Sequence, residues 1–97
     1  MNKAIQDMLG RFISVEQMDG INGPIKNQFI VRFENGTVFQ SYFTIIAVKS
    51  EGQIFLDVES WDYSRTTGKY RNMFLGESKA ETFRRIKNGL YKLVDLN

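Results

Sequence analysis

The chain has 97 residues and a formal net charge of +2, with 42% apolar and 25% charged residues and neither cysteine nor histidine. That length supports one domain, residues 1–97, and the apolar content takes it out of the disordered class. Without Cys or His there is no thiol nucleophile, no imidazole base and no Cys/His zinc site, so the sequence reads as a binding protein, not an enzyme, with no expected cofactor or metal.

In chain order, "KAIQDML" at 3–9 places Ala4, Ile5, Met8 and Leu9 on one stripe of a short helix that Gly10 stops. "RFISVEQM" reads as a strand and "DGINGP" as a turn. "NQFIVRF", "ENG" and "TVFQSYFTIIAVKS" read as strand, turn and one long strand. Two registers are open. A two-residue Asn35-Gly36 turn pairs Phe33 with Val38 and sets Val38, Gln40 and Tyr42 on the Phe33 face. A three-residue turn with a bulge pairs Phe33 with Thr37 and sets Phe39, Phe43 and Ile45 there. The second gathers more apolar partners and is the expected one. "QIFLDVES" follows as a strand, and "WDYSRTTGKYRNMFL" as a hairpin turning at Gly68. At 79–88, Ser78 and Glu81 have capping-box spacing; Ala80, Phe83, Ile86 and Leu90 form the expected buried stripe, and Gly89 ends the helix. "LYKLVDL" alternates as a short last strand.

Strands joined by tight turns make a mostly antiparallel sheet. With one well-defined helix on one face, the expected fold is α+β with four to six strands. No apolar run reaches the about 20 residues that span a bilayer, and "MNKAIQDMLG" has no secretory core. The expectation is a cytoplasmic protein with no membrane partner.

Charge is uneven. Residues 1–64 hold five Lys/Arg and eight Asp/Glu, a net −3, and residues 65–97 hold eight and three, a net +5. The basic part includes "WDYSRTTGKYRNMF", where aromatic and cationic residues interleave. Single-strand binders combine a basic groove with aromatic platforms. The candidate nucleic-acid interface is therefore Arg65, Lys69, Arg71, Arg84, Arg85 and Lys87, with Tyr63 and Tyr70 as stacking residues. Ser64, Thr66, Thr67 and the amides near Gly68 could hold phosphate. The competing reading puts Trp61, Tyr70 and Phe74 in the core, where a small domain needs its large aromatics. No RNP-like, helix-turn-helix or zinc-finger pattern accompanies the segment. Asp57, Glu59 and Asp62 lie close in sequence, but nothing catalytic joins them. "DGING" and "TTGK" lack the setting of a phosphate loop.

"TVFQSYFTIIA", "WDYSRTTGKYRNMFLGE" and "IKNGLYKLVDLN" give the chain, from about residue 36 to 97, a resemblance to a family of small uncharacterised proteins from phages and mobile elements of Gram-positive bacteria. The resemblance implies an accessory protein acting on DNA or RNA, or on a host or phage protein, for example as an inhibitor of a host defence system. Exposed aromatics at Tyr42, Trp61 or Tyr63 would suit a protein interface, and an unpaired sheet edge would suit a homodimer.

Overall fold

Asn2 starts the first helix. Its Oδ1 accepts from the Ala4 N–H at 2.9 Å, satisfying one of the donors that a helix leaves open at its N-terminus. The computed structural model describes residues 1–97. Its elements are α1 (Lys3–Leu9), β1 (Phe12–Gly20), β2 (Gly23–Phe33), β3 (Gly36–Ser41), β4 (Thr44–Ser50), β5 (Gln53–Asp57), α2 (Arg65–Leu75), α3 (Lys79–Lys87) and β6 (Lys92–Val94). All six strands form one sheet in the order β1-β2-β3-β4-β5-β6. The first five run antiparallel through tight turns, and β6 returns after the two helices to lie parallel to β5. The result is a single α+β domain with a mostly antiparallel sheet, as the sequence pattern predicts.

Alternation along the strands divides the core between the two sheet faces. Val38, Val48 and Phe55 face one way and pack with Ile5 and Leu9 of α1 and with Leu96 of the C-terminal tail. Phe39, Ala47 and Leu56 face the other way, joined by Ile46 at the register shift between β3 and β4, against Tyr91 and against Tyr70, Phe74, Leu75 and Ile86 from α2 and α3. Helices therefore cover both faces, where one covered face was expected.

The main correction concerns residues 61–75, which form no hairpin. Ser64 caps a helix, its Oγ accepting from the Thr67 N–H at 3.1 Å, and Gly76 ends it at φ 70°. Thr67, Tyr70, Arg71, Phe74 and Leu75 recur at i, i+3, i+4, i+7 and i+8, a helical stripe. Two of its inward members, Thr67 and Arg71, are polar, so a count of apolar residues misses it. Thr-Thr-Gly at the start consists of weak helix formers, which imitate a turn. Gly68 lies inside this helix without a positive φ, and a Cβ there would meet only the Arg71 guanidinium, in ordinary contact at 3.6 Å from Nη2. Gly68→Ala is therefore expected to stabilise the protein by about 0.5–1 kcal/mol. Calorimetry should show a rise of a few degrees in Tm.

The long strand read from "TVFQSYFTIIAVKS" is two strands. Ser41 pairs with Thr44 across a Tyr42-Phe43 turn, with Tyr42 at φ 55°. No Gly, Asn or Asp marks this turn. It is held by bonds from the Tyr42 N–H to Asn27 O (2.7 Å) and from Gln40 Nε2 to Tyr42 O (2.8 Å). The β2–β3 register also differs from the expected one: Phe33 pairs with Gly36 and Val31 with Val38, around a Glu34-Asn35 turn. Val38 therefore shares the Phe33 face, and Phe39 takes the opposite one. Neither Asn35 nor Gly36 has a positive φ. Gly36 is needed for room instead, because a Cβ would press on the Lys49 carbonyl oxygen and lie 2.8 Å from Leu9 Cδ2.

On α3 the capping box forms as predicted, with Ser78 N–H donating to Glu81 Oε1 and Glu81 N–H to Ser78 Oγ. The expected buried stripe holds only at Ile86. Thr82 and Ile86 turn inward, whereas Phe83 and Leu90 are 50% and 63% exposed and Ala80 faces solvent. A carboxylate decides this rotation. Glu77, in the α2–α3 turn, has a side chain only 6% exposed. It accepts from Thr82 Oγ1 (2.6 Å), Arg85 Nη1 (2.7 Å) and Tyr91 OH (2.5 Å).

Candidate nucleic-acid interface

The loop from β5 to α2 is tied down at Asp57. Its buried carboxylate accepts from the Ser60 N–H at 3.0 Å and the Leu96 N–H at 2.9 Å. Its carbonyl oxygen accepts from the Trp61 N–H at 3.0 Å. Asp57 is thus a structural acceptor. Glu59 lies beyond the end of the strand and is exposed.

Arg71 anchors the other side of the loop. It is 1% exposed. Nη1 donates to Trp61 O (2.6 Å) and Asp62 Oδ1 (3.2 Å), and Nη2 donates to Asn72 Oδ1 (2.9 Å). The guanidinium also lies 5.1 Å from the Trp61 ring centroid. Its Nε is buried with no hydrogen-bond partner. Lys79, at the first position of α3, reaches Asp62 Oδ2 at 2.8 Å. Burial pulls the Asp62 carboxyl up, but hydrogen bonds and charge from Lys79 and Arg71 outweigh it and hold the group below its ordinary range.

These contacts shape an open pocket of ≈ 550 Å³ at the start of α2, with no apolar side chain in its wall. Four cations, Arg65, Lys69, Arg71 and Lys79, face one carboxylate, Asp62. Arg65 and Lys69 are one helical turn apart on the exposed side of α2 and make no ion pair. The Arg65 and Thr66 N–H groups begin the helix without an intramolecular acceptor, so the positive end of the helix dipole adds to the cations. Among ligand pockets, which are mostly apolar, such a wall suits an anion.

The sequence-predicted residues do not all meet here. Arg65, Lys69 and Arg71 line the pocket, but Arg71 is a buried staple whose two terminal nitrogens are engaged, so it offers no free charge to a polymer backbone. Tyr63 is 54% exposed beside Ser64. Tyr70 is half-buried against the core and lines a second cavity. Arg85 is tied to Glu77. Arg84 and Lys87 are exposed on α3 and lie outside the pocket wall, with Lys87 Nζ 5.6 Å from the Phe83 ring centroid. Trp61 and Phe74 are half-buried on the core, as the competing reading held. Sequence reasoning missed Asp62 and Lys79 as wall residues. Reading Ser64 and Thr67 as a helix cap would have brought Arg65 and Lys69 onto one face and pointed to them.

Behind the site, the Glu77 cluster has a pH signature. Burial, then the hydrogen bond to Glu77 and its charge, raise the Tyr91 hydroxyl to about 12 from 10.0. A folded pKa above the unfolded value contributes stability that is fully present below about pH 10 and lost as pH rises towards 12. Unfolding free energy is expected to fall over that window. Tyr91→Phe should remove this part of the slope and lower stability at pH 7 by about 1.5–3 kcal/mol, the range for a hydrogen bond to a charged group. Urea titrations at pH 7 and at steps above pH 9 check both.

A family of unknown function, DUF8033, matches residues 13–89. The chain belongs to it. The DUF8033 match begins within β1, well before the resemblance read from residue 36 onward, and stops before β6. It spans the whole pocket wall. No curated protein and no solved structure matches the chain.

Proposed function

We propose that the protein is a non-enzymatic nucleic-acid-binding module whose contact surface is the start of α2, with the phosphate backbone held by Arg65, Lys69 and Lys79 and by the first amides of the helix. The observation that carries this is the wall of the pocket: four cations to one carboxylate, no apolar side chain, and a helix N-terminus opening into it. Arg84 and Lys87 extend the basic surface along α3, and Tyr63 is the exposed stacking residue. Contacts of this kind read phosphate and stacked bases, so binding should tolerate sequence and favour single strands. An accessory protein of a phage or mobile element, acting in the host cytoplasm, is the setting this reading fits. No helix of the chain is long and apolar enough to cross a membrane.

Fluorescence anisotropy with labelled single-stranded DNA, duplex DNA and RNA tests the proposal. Micromolar or tighter binding that weakens steeply between about 50 and 200 mM salt is expected. Arg65→Ala/Lys69→Ala should weaken it about tenfold or more and flatten the salt slope by about two contacts. No binding to any of the three at low salt would overturn the proposal.

A second reading rests on β1, an edge strand with Phe12, Ile13 and Val15 more than half exposed. That edge would serve a host or phage protein, or a second copy of the chain. Register shifts after Phe12 and Gln17 break its regularity, a device that discourages edge-to-edge pairing.

A further inference from the structure

A second cavity, of ≈ 340 Å³, lies between the β1–β2 turn and α2. Its wall differs in kind from that of the first: Ile21, Ile25, Tyr70 and Met73 supply apolar surface, and Asn22 supplies a carboxamide that makes no hydrogen bond within the protein. Lys69 lines both cavities, its Nζ 5.4 Å from the Tyr70 ring centroid. Both volumes fall in the range of about 300–1,000 Å³ usual for small-molecule sites. A cationic pocket and an apolar cleft joined at one lysine match a ligand in which an anionic group is linked to a flat, weakly polar ring.

From this juxtaposition we infer that the two cavities together form a seat for one nucleotide unit of a single strand, resting on the nucleic-acid reading above. The phosphate occupies the polar pocket, facing Arg65 and Lys69. The base enters the cleft against Ile21, Tyr70 and Met73, with Asn22 at its edge. Lys69 sits between the two and contacts the phosphate. The strand is held by a base as well as by charge, and a duplex, whose bases are stacked inside, cannot use the cleft.

The test compares a ten-residue oligothymidylate with an abasic strand of the same length and charge, using the intact protein. The thymidylate strand is expected to bind at least about fivefold more tightly, the low end of what one stacked base contributes. Ile21→Ala/Met73→Ala should bring the ratio close to one and leave the abasic affinity unchanged. Both side chains are exposed, Ile21 fully and Met73 by 47%, so the variant should fold. Equal binding of the two strands by the wild type, or a ratio the variant does not change, would overturn the base seat and leave the phosphate-binding proposal standing. Failure of both strands to bind would overturn both.

Discussion

Arg71→Ala is expected to lower unfolding stability by about 3–5 kcal/mol, a large share of the roughly 5–15 kcal/mol that a small domain has. The residue is 1% exposed, and its guanidinium ties the Trp61 carbonyl and the Asp62 carboxylate of the β5–α2 loop to α2, where it also bonds the neighbouring Asn72 side chain. Truncation leaves the Trp61 carbonyl without its donor, leaves Asp62 to Lys79 alone and opens a void beneath Trp61. The cost comes from the emptied volume of a fully buried side chain and from the part-buried carbonyl left unpaired. Arg71→Lys should recover little, since one ammonium cannot reproduce a fork that bonds from two nitrogens. In urea the midpoint should drop with m unchanged. A midpoint within experimental error of wild type would show that Arg71 does not hold the β5–α2 loop. Any loss of nucleic-acid binding in this variant must be measured where it is still folded; Arg65→Ala and Lys69→Ala, on exposed side chains, carry no such complication.

Glu77→Ala should be comparably severe, at about 3 kcal/mol or more. Its carboxylate is the common acceptor for Thr82, Arg85 and Tyr91, so it fixes the rotation of α3 and ties the segment entering β6 to the turn before α3. Its loss strands the Tyr91 hydroxyl, whose residue is only 7% exposed, and frees Arg85. Lys49 also feels the change. Burial lowers its pKa and the Glu77 charge pulls it back up, so without Glu77 it moves further down. Thr82→Val, which removes one of the three donors and keeps the shape, should cost only about 1 kcal/mol. Equal losses from Glu77→Ala and Thr82→Val would mean that the carboxylate is not the organiser of the cluster.

Both residues explain what the sequence could reveal. The first helix, β1, β2, β5, the α3 cap and the short last strand are legible because apolar periodicity and Ser/Gly punctuation agree with the fold at those places. Counting apolar partners on one face does not give the β2–β3 register, because the sheet buries both faces. The Tyr42-Phe43 turn carries no turn residue and is held by contacts to Asn27 and Gln40, which are invisible from local pattern. α2 was hidden by Thr-Thr-Gly and by inward-facing Thr67 and Arg71, whose burial is satisfied by tertiary hydrogen bonds. For the same reason only part of the site was legible. Charge alone cannot tell Arg65, which is free, from Arg71 and Arg85, which are tied to internal acceptors. Spacing puts Phe83, Ile86 and Leu90 in the core, but Glu77 turns α3 so that Thr82 joins Ile86 there while Phe83 and Leu90 face solvent.

Amide chemical-shift mapping with a short single-stranded oligonucleotide tests the central claim most directly. If the start of α2 holds phosphate, the largest salt-sensitive shifts will fall on the Arg65 and Thr66 amides, which lack an internal acceptor, and on Lys69 and Lys79 around the same pocket. Shifts confined to β1, or none at saturating oligonucleotide in low salt, would contradict it.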